Sequence, residues 1–324
     1  MTKRAVRAVQ RVAALAAMTM GAVAAQAANY QVDVFTLEGQ STFLADINNA
    51  GVLLGSNFTY SHGVTTYLPL PPGALGAFSG AISDNGVIAG TYFTTQQVDP
   101  WTGDLYDGPY SGYLYNGSTF TSFDVPGVDS PMVRGISPDG RFVSGLNMSG
   151  GGFVFDTQGG LGVQLIGGPG PTIAQGVNSH GTVVGSEGIF GEDGSFTKVS
   201  FTYDLNTGVR QDFSFAGFRQ TNFRDITSDG RIGGWLATNE VDPETGSTRI
   251  VGFFGTPDNF QIIEVQGAQS TFVEGVNDQG WLVGNYTNAD GTGGAFVARP
   301  VPEPATWLLL AGGMLGLASV RRRG

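Results

Sequence analysis

One short phrase returns six times along this chain: an apolar residue, then Asn, Ser or Thr, two loose positions, Gly, and an apolar run closed by a second Gly. The copies start at Ile47-Asn48 (turn Gly51, closing Gly55), Ile82-Ser83 (Gly86, Gly90) and Ile136-Ser137 (Gly140, closing one residue late at Gly145). They continue at Val177-Asn178 (Gly181, Gly185), Ile226-Thr227 (Gly230, Gly234) and Val276-Asn277 (Gly280, Gly284). Such a phrase reads as a β-hairpin. Asn, Ser or Thr caps the end of one strand through its own backbone, and Gly takes the positive φ of a tight turn. Leu53, Ile88, Val143, Val183, Ile232 and Leu282 hold matching places on the outgoing strand and are expected to face a core.

Two further patterns accompany the phrase. Upstream lies an apolar strand ending at Gly, as in Val34 to Gly39, Phe123 to Gly127, Phe213 to Gly217 and Ile262 to Gly267. Downstream a small residue precedes an aromatic one, as in Gly112-Tyr113, Gly152-Phe153, Ser200-Phe201, Gly252-Phe253 and Ala295-Phe296. Each unit therefore offers about four strands. The turn glycines lie 35, 54, 41, 49 and 50 residues apart, a spacing that suits propeller blades better than the short rungs of a β-helix. The reading is an all-β repeat domain over residues 28–299, a β-propeller of about six blades, with a β-solenoid or a pair of β-sandwiches as alternatives.

Composition agrees. With 52 Gly, 22 Phe and only 13% charged residues, helix is penalised and short strands joined by turns are favoured. The phrase resembles the HAF repeat of bacterial extracellular proteins, named for a His-Ala-Phe in its last strand. Here only His62-Gly63-Val64 keeps a histidine at that place, and no copy spells the full triplet.

Two units carry insertions built on one theme, Val98-Asp99-Pro100-Trp101-Thr102-Gly103 and Val241-Asp242-Pro243-Glu244-Thr245-Gly246. Asp-Pro-x-Thr-Gly suits a type I turn followed by a bulge. The projecting hairpins would offer Trp101, Tyr106 and Tyr110 as an aromatic ligand face.

The two ends read differently from the middle. Lys3, Arg4, Arg7 and Arg11 precede an uncharged stretch from Val12 to Ala25, and small residues Ala25 and Ala27 then form an A-x-A site. Residues 1–27 are thus expected to be a secretion signal cut by signal peptidase after Ala27. At the other end, residues 300–324 carry Pro302-Glu303-Pro304, an apolar run from Leu308 to Val320, and Arg321, Arg322 and Arg323. The arginines would hold the run in the inner membrane, as a transmembrane helix, with the preceding domain outside. This tail resembles the PEP-CTERM sorting signal of Gram-negative bacteria. The resemblance implies an exosortase as partner, a membrane enzyme described as cutting near the Pro-Glu-Pro and releasing or re-anchoring its substrate at the cell surface or outside the cell.

Between the two ends, nine basic residues face 26 acidic ones, a net charge near −17. Nucleic acid and anionic lipid are poor partners for such a surface. Cysteine is absent, so disulfides and thiolate chemistry are excluded. No G-x-S-x-G, H-E-x-x-H or phosphate-cradling loop occurs, and no cofactor is implied. His62 and His180 have no partner in the sequence, and His180 reads as a solvated turn residue. Asp99, Asp104 and Asp107, and separately Glu192 and Asp193, could hold Ca²⁺, but their spacing follows no calcium-loop rule. No catalytic residues and no metal ligands are assigned.

The expectation is a non-catalytic exported protein of the cell surface or extracellular matrix, acting by binding or structural association with exopolysaccharide in a biofilm. The alternatives are a polysaccharide hydrolase or lyase using channel carboxylates, and an ice or surface binder, against which the missing Thr ladder counts.

Overall fold

Every copy of the phrase folds as the hairpin its residues call for. The turn glycines Gly51, Gly86, Gly140, Gly181, Gly230 and Gly280 have φ of 74°, 80°, 78°, 83°, 86° and 76°. The capping side chains accept backbone N–H groups across the turn: Asn48 from Val52, Ser83 from Val87, Ser137 from Phe142, Asn178 from Thr182, Thr227 from Arg231 and Asn277 from Trp281.

The structure is a computed structural model that describes residues 30–301 except 100–101, 160, 169, 192–194 and 244–245. The signal region with Ala25 and Ala27, and the tail with Pro302, Glu303, Pro304, Arg321, Arg322 and Arg323, lie outside the described residues, as do Trp101, Glu192 and Asp193. All regular structure among the described residues is β.

The first strand, β1 (Tyr30–Phe35), joins a sheet last. The first antiparallel sheet follows it: β2 (Leu44–Ile47), β3 (Leu53–Gly55), β4 (Phe58–Ser61) and β5 (Val64–Tyr67). The second sheet begins with β6 (Gly76–Ile82) and β7 (Ile88–Phe93). A separate hairpin then intervenes, β8 (Gln96–Val98) with β9 (Leu105–Asp107), before β10 (Tyr110–Tyr115) and β11 (Phe120–Phe123) complete the sheet. The third comprises β12 (Pro131–Ile136), β13 (Phe142–Asn147), β14 (Gly152–Asp156) and β15 (Val163–Ile166). The fourth comprises β16 (Thr172–Val177), β17 (Thr182–Phe190), β18 (Phe196–Asp204) and β19 (Arg210–Phe213). The fifth comprises β20 (Gln220–Ile226), β21 (Ile232–Val241), β22 (Thr248–Thr256) and β23 (Asn259–Ile263).

β24 (Ser270–Val276), β25 (Leu282–Thr287) and β26 (Gly293–Pro300) form the last group, and β1 pairs with β26 as its fourth strand, Tyr30 opposite Pro300 and Phe35 opposite Ala295. A single parallel pairing of Ile250 with Ser270 joins the fifth group to the sixth. The apolar strand upstream of each turn phrase therefore belongs to the preceding sheet, so each structural unit starts one strand later than the repeat suggests.

The first strands touch in cyclic order: β2 packs on β6, β6 on β12, β12 on β16, β16 on β20, β20 on β24, and β24 back on β2. The core is divided accordingly, lying between neighbouring sheets. Leu54 sits with Ile82, Ile88 and Tyr113 between the first two sheets, while Leu53 sits with Val283, Ala295 and Val297 between the first and the last. Val183 and Val184 divide in the same way, one joining Val154 and Phe201, the other Phe223 and Val251. Successive strand residues point to opposite faces, and both faces of each second strand are buried. The six residues expected to face a core are all buried, from 0% exposure at Val143, Val183 and Leu282 to 5% at Leu53.

Candidate functional site

Each of the six first strands has a β-bulge at the same place, where the register skips one residue: Ala45, Gly80, Arg134, Gln175, Arg224 and Glu274. A bulge puts two residues opposite one and re-aims a side chain. All six skipped residues line one cavity of about 250 Å³ or the wider basin of about 660 Å³ beside it. Arg134, Gln175, Arg224 and Glu274 line both, so the two adjoin at these side chains.

The residue after the bulge is often Gly for a steric reason. A Cβ on Gly275 would lie 2.6 Å from Asp46 Oδ1, and one on Gly176 would lie 2.8 Å from Asp225 Cα. Neighbouring first strands approach too closely there for a side chain on both. Asp46 and Asp225 fill these crossings, and each ties its sheet to a neighbour. The Asp46 carboxylate accepts from Ile47 N and, at 2.8 Å, from Ile82 N, while Asp225 accepts from Ile226 N and, at 2.8 Å, from Val276 N. Burial pushes both carboxyls up, Asp225 to about 6, and Asp46 is raised further by the charge of Asp225.

Beyond these aspartates the turn residues link around the ring. Asn49 donates to Asp84 and Asp278, Asp84 N donates to Pro138 O, Asp139 N to Ser179 Oγ, and Ser228 N to Asp278. The caps add to this, since Asn178 Nδ2 donates to Thr227 O, Asn48 Nδ2 to Ser83 O and Asn277 Nδ2 to Asn48 O. Only about 30 Å³ remains at this end, room for a water or two.

The opposite, wide end is electrostatically unusual. Its charged lining residues are Arg134, Lys198, Arg224 and Glu274, a net charge of +2 in a strongly acidic domain. Arg224 is satisfied: it donates to Gln175 Oε1 at 3.0 Å and pairs with Glu274. Arg134 is not. Among the described residues its hydrogen bond is to Met132 Sδ at 3.5 Å, its Nε is buried without a partner, and the charge of Glu274 acts on it without an ion pair. Burial, aided by the charge of Arg224, holds the Arg134 guanidinium down to about 10. Lys198, from β18, is lowered for the same reasons, burial first and then the charges of Arg224 and Arg134. Its Nζ lies 5.6 Å over the Trp235 ring, which meets Phe272 edge-on at 5.8 Å. Phe43, 47% exposed, lines both cavity and basin.

The aromatic residues singled out in the sequence fall in different surroundings. Tyr106 lies on the β8–β9 hairpin, exposed, its hydroxyl donating to Gln97 at 2.7 Å. Tyr110 opens β10 and lines the cavity, with its ring against Phe78 and Phe93 and its hydroxyl on Asp107 at 3.1 Å. Asp99 caps its own turn by accepting Thr102 N, and Asp104 takes part in that turn through its backbone. Both Asp-Pro insertions make this turn, with Gly103 donating to Asp99 O and Gly246 to Asp242 O. Among the described residues no three His, Asp or Glu side chains converge as a metal set. His62 is exposed at φ 50°, bonded to Ser61, and His180 is exposed with its N–H on Asn178.

The cavity residues escape a reading of the turn phrase, yet a signal exists. Two positions before the phrase's apolar residue stand Arg134, Gln175, Arg224 and Glu274, long polar side chains at one place in the repeat.

Residues 300–323 match the family model described as the PEP-CTERM protein-sorting motif. No curated protein matches the chain. Among solved structures, a nidogen/laminin complex aligns with TM-score 0.44 and 11% identity over 78% of this chain and 86% of that one. The tricorn protease aligns with TM-score 0.45 and 8% identity over 83% of this chain and 29% of that one. The sorting-motif match supports an exported protein that an exosortase sorts to the cell surface or beyond.

Proposed function

We propose that this is a non-catalytic matrix or surface protein whose β domain, a six-bladed propeller of HAF-like repeats, binds exopolysaccharide in a biofilm once signal peptidase and exosortase have processed its ends. The observation that carries the export half is the sorting-motif match at residues 300–323. The propeller reading is supported by the cyclic packing of the six first strands and by the β1–β26 pairing, which holds the two ends of the domain together. A binding role is favoured over acid–base catalysis because the inward carboxylates are already engaged. Glu274 is paired with Arg224, and Asp46 and Asp225 each accept two backbone N–H groups.

Two experiments test the halves separately. Replacing Pro302, Glu303 and Pro304 by Ala is expected to leave the chain unprocessed in the membrane fraction, and normal release from the triple variant would overturn the sorting half. The exported protein is expected to co-sediment with polysaccharide from its own cells, and failure to do so would overturn the binding half.

A further inference from the structure

Of the nine basic residues in the domain, five are ion-paired on its periphery: Arg141, Arg210, Arg231, Arg249 and Arg299. Arg224 is paired within the cavity, and Arg219 is exposed, with only Thr248 as a side-chain partner. The two that remain, Arg134 and Lys198, form no ion pair among the described residues, although the charge of Glu274 reaches Arg134, and both line the basin. A cation held partly out of water without an ion pair is costly, so a fold with 26 acidic residues ordinarily supplies a partner. Here the partner is missing where six bulges and an aromatic wall converge.

We infer that the wide end of the central cavity is a binding site for a carboxylate-bearing sugar, with Arg134 and Lys198 taking the carboxylate. The inference rests on the proposed polysaccharide role and names the part of the polymer that is held. Hydroxyl groups of Ser41, Thr42 and Thr287 rim the same basin and suit sugar hydroxyls, while Phe43 and Trp235 add aromatic surface for its C–H side. The domain's net charge of −17 repels a uniform polyanion. The site therefore fits an isolated acidic residue flanked by neutral sugars, entering from the open side, better than a polyuronate laid along the surface.

Calorimetry of the exported protein with cellobiouronic acid and with cellobiose, which differ only by a carboxylate in place of a hydroxymethyl group, tests this. The acid is expected to bind about 10-fold or more tightly, as two charge-assisted contacts imply. Arg134→Gln and Lys198→Gln should each remove most of that preference, while Arg219→Gln, the exposed control, should leave it intact. If Arg134→Gln fails to fold, Lys198→Gln on the cavity wall carries the test alone. Equal affinity for the two sugars, an unchanged preference in the folded variants, or inorganic sulfate competing as well as the acid would overturn the inference. Co-sedimentation with the cells' own polysaccharide, unchanged in Arg134→Gln, would sink this site while leaving the proposed function standing. Failure of wild type to co-sediment would sink the proposed function itself.

Discussion

Gly284 on β25 lies directly opposite Phe296 on β26, and the ring of Phe296 covers the glycine where a side chain would stand. A Cβ on Gly284 would run into Phe272 O on the neighbouring strand and come within 2.9 Å of the ring. The same pairing recurs with Gly90 under Tyr113, Gly145 under Phe153, Gly185 under Phe201 and Gly234 under Phe253, and Gly55 meets Phe58. The closing Gly of the phrase and the aromatic residue after the next small residue are thus two halves of one packing unit, and most of these rings are completely buried.

Gly284→Ala should therefore destabilise the domain by about 2 kcal/mol through overpacking, seen as a lower urea midpoint. Gly167→Ala is the comparison, because nothing lies within 4 Å of that position and its φ is ordinary. Equal midpoints for the two variants would contradict the packing account.

Asn178 caps its turn through Oδ1 and reaches Thr227 O in the next sheet through Nδ2. Ser137 makes the cap and donates to Asp139 within its own turn. Asn178→Ser is accordingly expected to cost about 1 kcal/mol and Asn178→Ala about 2 kcal/mol or more, as the link and then also the cap are lost. Chemical denaturation distinguishes them, and identical costs would mean that the inter-sheet bond contributes everything.

Asp225 sits among Asp46, Arg224 and Asp278 with its carboxyl raised to about 6, chiefly by burial. Between about pH 4 and 6 the folded chain holds a proton there that the unfolded chain has released, so this group makes stability fall as pH rises through the window, by roughly 3 kcal/mol at most. Asp46, also raised, adds a slope of the same sign. Stability of wild type should decline relative to Asp225→Asn from pH 4 to 6, and parallel profiles would show that the carboxyl does not titrate there.

Arg134 is maintained at a cost to the unliganded fold, since its Nε is buried without a partner and burial works against its charge. Arg134→Met should raise the melting temperature of the ligand-free protein by a few degrees while weakening sugar binding. A lower melting temperature would mean that the arginine stabilises the fold through contacts of its own.

The hairpins, their glycines with positive φ, the caps and the buried residues on each second strand were legible in the chain, because each depends on neighbours within about ten residues: φ preference, side-chain capping and a period of two are local. The tail was legible for the same reason, as one contiguous string of Pro-Glu-Pro, apolar run and arginines. Which sheet the upstream strands join was decided by tertiary packing, for β1 finds its partner β26 across the whole length of the domain. So was the cavity. Arg134, Gln175, Arg224 and Glu274 are separated by 40 to 50 residues and meet only because the bulged residues of six strands line one cavity, while Lys198 joins the basin beside it from a third strand with no local mark at all. Charge in a sequence is a sum over the chain, whereas the positive field in this basin depends on which cations the fold leaves without a carboxylate, and only three-dimensional proximity determines that.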